Sequence, residues 1–168
     1  MLGMPSAHDS AEPAPVAGSR FAQHVQAIAE IATQWSDYSL QTAMCQMDAD
    51  RPEGDLLIGL CSVYAATGEL PVWLHLARIR YLNMEDAFGP GDFIAEVKIS
   101  FLPAERSAWP VEARAHELRS WDGEWGKADS EIEMVWVEID GPWWMEAIAQ
   151  IIDVSVVPPQ LEPFYSPD

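Results

Sequence analysis

The residues with the most chemical potential lie between positions 117 and 140. Eight carboxylates stand there (Glu117, Asp122, Glu124, Asp129, Glu131, Glu133, Glu138 and Asp140) against Arg119 and Lys127. Trp121, Trp125 and Trp136 are interleaved, and Trp143 and Trp144 follow. Carboxylates steer a basic partner by long-range attraction, and tryptophans anchor it once it has docked. The expected partner-binding set is therefore Trp121, Asp122, Glu124, Trp125, Asp129, Glu131, Glu133 and Trp143. The competing reading is structural. Trp136 alternates with Ile132 and Met134 as a core position, and Glu131 and Glu133 then face water.

Other chemistry finds less support. No phosphate-binding G-x-x-x-x-G-K-[ST] run and no G-x-S-x-G nucleophile turn occurs. Carboxylate pairs are too plentiful to single out a general acid or base, which needs a pKa raised by its surroundings. No catalytic residue is assigned. His8, His24, His75 and His116 are scattered along the chain. His75 and His116 fall on expected strands and can meet across a sheet, with Glu117 or Glu133 as further ligands. A hydrogen-bonded structural histidine is the commoner case, so no metal site is assigned. Asp48 and Asp50 flank Ala49 like a fragment of a calcium loop, without its glycine and distal glutamate. Cys45 and Cys61 form neither a disulfide framework nor a zinc motif and are expected to be reduced and buried. Arg78 and Arg80 share one face of an expected strand, where they meet carboxylates or an anion. No cofactor is expected.

Charge sets the wider limits. The chain has 168 residues, 27 acidic and nine basic, with a net charge of −18. Nucleic acid is disfavoured, because its phosphates are bound by neutralising Lys and Arg. Anionic membrane surfaces are disfavoured for the same reason. A basic protein partner is favoured by steering, although solubility alone also explains such a charge. Hydrophobic residues make up 49%, with eight tryptophans, enough to build the core of one domain. Residues 1–18 hold no secretory pattern, and no apolar run reaches the roughly 18 residues of a membrane span. A cytoplasmic protein is expected.

These residues need elements to position them. Residues 1–18 and the proline-rich 158–168 read as tails around a single domain at 19–157. Ser19 can cap a helix whose stripe is Phe21, Val25, Ile28, Ala29, Ala32 and Trp35. Residues 38–47 are ambiguous, and 48–54 form a loop. Residues 56–65 are almost continuously apolar, as in a strand buried on both faces. Residues 72–82 pair back on it as a hairpin. In 93–102, Phe93, Ala95, Val97, Ile99 and Phe101 share one face, with Glu96, Lys98 and Ser100 on the other. Val111, Ala113 and Ala115 alternate as in a further strand, residues 121–129 read as a turn, and residues 131–139 form another strand. Asp140-Gly141-Pro142 reads as a helix start, and Trp144, Ile148, Ile151 and Ile152 as its stripe. Residues 154–157 add a short strand. The expected fold class is α+β: a strongly bent antiparallel sheet or small β-barrel with an N-terminal and a C-terminal helix.

Two segments carry a family resemblance. The run FGPGDFIAEVKISFLPAE (residues 88–105) resembles a strand of the C-terminal β-barrel domain of elongation factor Tu, also found in small stand-alone bacterial proteins. The run HELRSWDGEWGKA (residues 116–128) resembles the strand and turn that close that barrel. The Gly-Tyr-Arg-Pro element of the factor's barrel is absent, as is a nucleotide-binding domain. The resemblance implies a small antiparallel barrel acting as a binding module. It transfers no functional residues.

The leading functional expectation is a non-enzymatic, acidic protein-interaction module that binds a basic protein partner, of the kind seen in an immunity protein, an antitoxin or an inhibitor. The alternative is a small-molecule-binding or enzymatic domain with a Trp-lined pocket between sheet and helix. A structural subunit docking through a sheet edge is a third class.

Overall fold

Ser19 opens the first helix, its Oγ accepting a hydrogen bond from the Ala22 amide at 3.0 Å. In a computed structural model that describes residues 18–46, 54–63, 70–84, 93–119, 125–126 and 132–157, helix α1 spans Arg20–Ala32. The expected stripe is its buried face: Val25, Ile28 and Ala32 are covered, and Trp35 follows in a 3₁₀ turn.

The remaining elements are strands β1 (Tyr38–Gln46), β2 (Asp55–Ser62), β3 (Val72–Met84) and β4 (Glu96–Leu102), the short helix α2 (Val111–Ala115), and strands β5 (Leu118–Arg119), β6 (Trp125–Gly126), β7 (Met134–Asp140) and β8 (Met145–Ser155). Six strands form one antiparallel sheet in the order β1-β2-β3-β8-β7-β4, and β5 pairs with β6 separately. The sheet is mostly hairpins, so neighbouring strands are close in sequence. Its two edges meet at one place. Phe93, just ahead of β4, bridges Ser39 of β1, and the Ile94 amide donates to the Tyr38 carbonyl at 2.8 Å. Edge strands of a flat six-stranded sheet lie roughly 24 Å apart, so this contact requires a curl. The curl stops short of a closed barrel.

Helix α1 lies on the concave face. Phe21 meets Phe101 of β4 edge-on, with ring centroids 6.2 Å apart. His24 Nε2 bonds the Ile152 carbonyl at 2.9 Å, on a stretch of β8 that β7 does not reach. The main core forms here, from Leu56, Ile58, Leu74, Leu76, Val135, Val137 and Ala147 together with Trp35 and Trp143. A smaller core covers part of the opposite face, where Trp109, Ala113 and Leu118 pack on Leu102, Met134, Trp136 and Ile148. Trp109 is fixed by its Nε1–H, which donates to the Pro103 carbonyl at 2.7 Å.

Several expectations are corrected. No C-terminal helix forms at 144–152; those residues belong to β8 and the turn before it. Strand β8 is buried on both faces, so Met145, Ala147 and Ala149 point to one core and Ile148 to the other. Its period of two is hidden, and isoleucines at 148, 151 and 152 imitate a helical stripe. Residues 111–115 form α2 and not a strand. Pro110 precedes the first helical residue, its carbonyl accepts from the Arg114 amide at 2.9 Å, and only Ala113 is buried. The ambiguous 38–46 stretch is β1. Arg78 and Arg80 do not share a face. Arg78 is exposed with φ of 56°, β3 is irregular there, and Arg80 is 1% exposed. Neither cysteine is in a disulfide, but Cys45 is exposed. The expected tails fall mostly outside the described residues, as does all of the 48–54 loop but Gly54. Among the described residues, no helix is long and apolar enough to cross a membrane.

The β7–β8 turn is packed against the chain entering β4. A Cβ on Gly141 would lie 2.6 Å from the Phe93 carbonyl oxygen and 3.4 Å from the Ala95 amide nitrogen. The Ala95 amide is itself bonded to the Asp140 carbonyl at 2.8 Å. Backbone cannot yield as a flexible side chain can, so Gly141→Ala is expected to cost about 1–3 kcal/mol. Urea denaturation checks this. An unchanged midpoint would mean the turn is free to move.

Candidate functional site

Alternation and register bring the polar residues of three strands onto one patch of the outer face. Residues 96 and 98 of β4, 136, 138 and 140 of β7, and 146 of β8 all point the same way. The register sets Lys98 opposite Glu138 and Glu138 opposite Glu146, one row across the sheet. Glu96 stands opposite Asp140 in the next row. Directly opposed side chains have Cβ atoms about 4.5–5.5 Å apart, so two of these pairs set like charges together.

The segment after β4 completes the wall. Helix α2 contributes Glu112, and His116 follows it. The β7–β8 turn adds Trp144. These groups, with Trp136, Ile139 and Met145, line a cleft of about 530 Å³. Among the described residues, five carboxylates face it, Glu96, Glu112, Glu138, Asp140 and Glu146, with Lys98 as the one lysine in its lining.

The carboxylates differ in how they are held. Glu146 is fixed on both oxygens. Its Oε1 bonds His116 Nε2 at 2.6 Å and accepts from Trp136 Nε1–H at 2.9 Å. Its Oε2 accepts from the Tyr81 hydroxyl at 3.4 Å. The Tyr81 ring stacks on His116, centroids 4.0 Å apart and planes 22° apart. Burial, and then the Glu146 charge, push the Tyr81 phenol above its ordinary value. Among the described residues, Glu138 has no such cradle. Burial pushes its carboxyl above the ordinary value; Lys98 opposes this, while Glu146, Glu96 and Glu112 add to it. Lys98 is itself held above its ordinary value, first by the Glu96 carboxylate 3.2 Å away.

The arrangement suits a positive group. A cation entering the cleft relieves repulsion that the folded chain otherwise carries. Trp144, a residue 40% exposed, offers its ring for cation–π contact at the rim. A carboxyl with a raised pKa can also exchange a proton with a bound group.

Among the described residues, no three His, Cys, Asp or Glu side chains are placed to hold a metal ion. His75 and His116 do not meet. His75 lies on β3 with its Nε2 3.9 Å from Asp55 Oδ1. His116 stacks on Tyr81, six residues further along β3, which is roughly 20 Å of strand.

The chain matches no protein family, curated protein or solved structure.

The site therefore has to be read from its own residues. Of the expected partner-binding set, Trp121, Asp122, Glu124, Asp129 and Glu131 lie outside the described residues. Trp125 is described through its backbone, which pairs with Arg119. Glu133 is half-buried just before β7. Trp143 is 2% exposed and packs in the main core, so it presents no face to a partner. Glu138 and Asp140, from the same acidic run, do line the cleft. Glu96, Lys98, Glu112, Trp144 and Glu146 were not in the expected set. The alternation in 93–102 already put Glu96 and Lys98 on one polar face. Reading 134–155 as a hairpin would have set Glu146 opposite Glu138.

Proposed function

We propose that this protein is a non-catalytic binding module whose acidic cleft receives a cationic side chain of a basic protein partner. The observation that carries this reading is the convergence, among the described residues, of five carboxylates and one lysine on a Trp-rimmed cleft. Such a cleft concentrates positive groups and repels phosphate and anionic lipid. An inhibitor or neutralising partner of a basic protein would use it in this way, with Lys or Arg inserted beside Trp144.

A second reading is a small cationic ligand. The cleft volume favours it, since about 300–1,000 Å³ is usual for small-molecule sites.

Titration with a pentalysine peptide, followed through the indole N–H resonances of Trp136 and Trp144, tests the proposal. Both resonances are expected to shift. Affinity is expected to fall by about tenfold as screening shortens between low and high salt. Agmatine in place of the peptide separates the two readings: tight agmatine binding favours the small ligand, and peptide binding alone favours the protein partner. Shifts of neither resonance with either probe would overturn both. A tagged protein in its native host is also expected to retain a stoichiometric basic protein at moderate salt and release it at high salt.

A further inference from the structure

His116 belongs to two cavities. It lines the acidic cleft and also a second cavity of about 280 Å³ with Arg106, Ser107, Arg114, Ala115 and Glu117. The chain has nine Lys and Arg in all, and two of them meet here. In so acidic a protein an arginine is expected to find a carboxylate. Neither of these does so among the described residues.

Arg106 donates through Nη2 to the carbonyls of Arg114, at 3.2 Å, and of His116. Its guanidinium lies over the Trp109 ring, 5.4 Å from the centroid. These bonds tie down the end of α2 and account for Nη2. They leave Nη1, which is buried without a hydrogen-bond partner. Arg114 makes one long bond, from Nη1 to the Ser107 carbonyl at 3.4 Å. Burial pushes Arg106 below its ordinary value, with no neighbouring anion to offset it. Glu117 stands on the rim, exposed, and Glu105 nearby is engaged by the Ser107 hydroxyl at 2.6 Å.

We propose that the Arg106–Arg114 cavity is an oxyanion site, taking the carboxylate or phosphate group of a ligand. A guanidinium presents paired N–H donors that match two oxygens of either group. An anion there would supply the missing counter-charge to the two guanidiniums that line the cavity. The site does not depend on the cationic reading of the neighbouring cleft. If both hold, a ligand carrying both charges can span them across His116.

The test uses the full chain, with inorganic phosphate and acetate as separate probes, followed through the arginine side-chain N–H resonances. Arg106 and Arg114 are expected to shift together and saturably, in the millimolar range. Arg114→Gln is expected to weaken binding by about fivefold or more and, being exposed, to leave the melting temperature unchanged. Tighter binding of phosphate identifies a phosphorylated ligand, and tighter binding of acetate a carboxylate. No saturable shift at about 50 mM of either anion, or binding that is the same in Arg114→Gln, would overturn the proposal. Either result leaves the pentalysine titration unaffected, so failure here is distinct from failure of the cationic reading.

Discussion

Glu146→Ala is expected to lower stability by about 2–3 kcal/mol and to disorder the wall of the cleft. The substitution removes the acceptor of three donors, His116 Nε2, Trp136 Nε1–H and, at longer range, the Tyr81 hydroxyl. Trp136 is 7% exposed, so its N–H loses its protein acceptor and is left to whatever water the cleft admits. A buried donor left in that state costs about 1–3 kcal/mol. The His116 ring also loses its anchor, and with it the stack on Tyr81 is weakened. One term runs the other way: removing the Glu146 charge relieves Glu138, its opposite neighbour. That relief is smaller, because the cleft is open to solvent and screened. Glu146→Gln keeps an acceptor oxygen and is expected to lose about half as much. Urea denaturation at neutral pH gives the energies, and the Trp136 indole resonance reports the local loss. A Glu146→Ala midpoint equal to wild type would show that the network does not hold the site together.

Much of the fold was legible, and the reasons are local. The stripe Val25, Ile28 and Ala32 has a helical period and a capping serine, so α1 stands where it was expected. Residues 56–60 are apolar without interruption because β2 is buried on both faces. The alternation of 96–102 survives because β4 is an edge strand with one core face and one cleft face. Legibility failed where both faces are buried and the residues are small or branched. The run from Met145 to Ile152 satisfies either period, and only pairing with β7 decides between them. That single misreading hid the site, since Glu146 is placed by register and not by spacing along the chain. The same limit applies to His116. Its partners Glu146 and Tyr81 are 30 and 35 positions away, joined by packing that no short motif announces. Trp143 and Trp144 are adjacent in sequence yet one is core and the other rim, a difference set by the turn alone.

Glu138→Gln is expected to raise stability at neutral pH while weakening cation binding, and the opposed signs identify the cleft as a binding site. A carboxyl whose pKa is raised by folding holds its proton more tightly in the folded chain than in the unfolded one. Its contribution to stability is then fullest below the ordinary value of 4.5. That contribution declines as pH rises through the window between 4.5 and the raised folded value. Above that window the ionised Glu138 is a net cost, produced by its burial and by Glu146, Glu96 and Glu112. Glutamine removes the charge and keeps the shape. The melting temperature at pH 7 is expected to rise by roughly 1–3 °C, and the two proteins are expected to converge in acid. Binding follows the same linkage in reverse. A cation beside Glu138 draws its pKa back down, so binding within that window releases a proton and affinity climbs with pH. Glu138→Gln is expected to lose that pH dependence and about three- to tenfold in affinity for pentalysine. A carboxylate kept only for structure would not behave this way. Its neutralisation would leave pentalysine binding unchanged, and that outcome would remove Glu138 from the site.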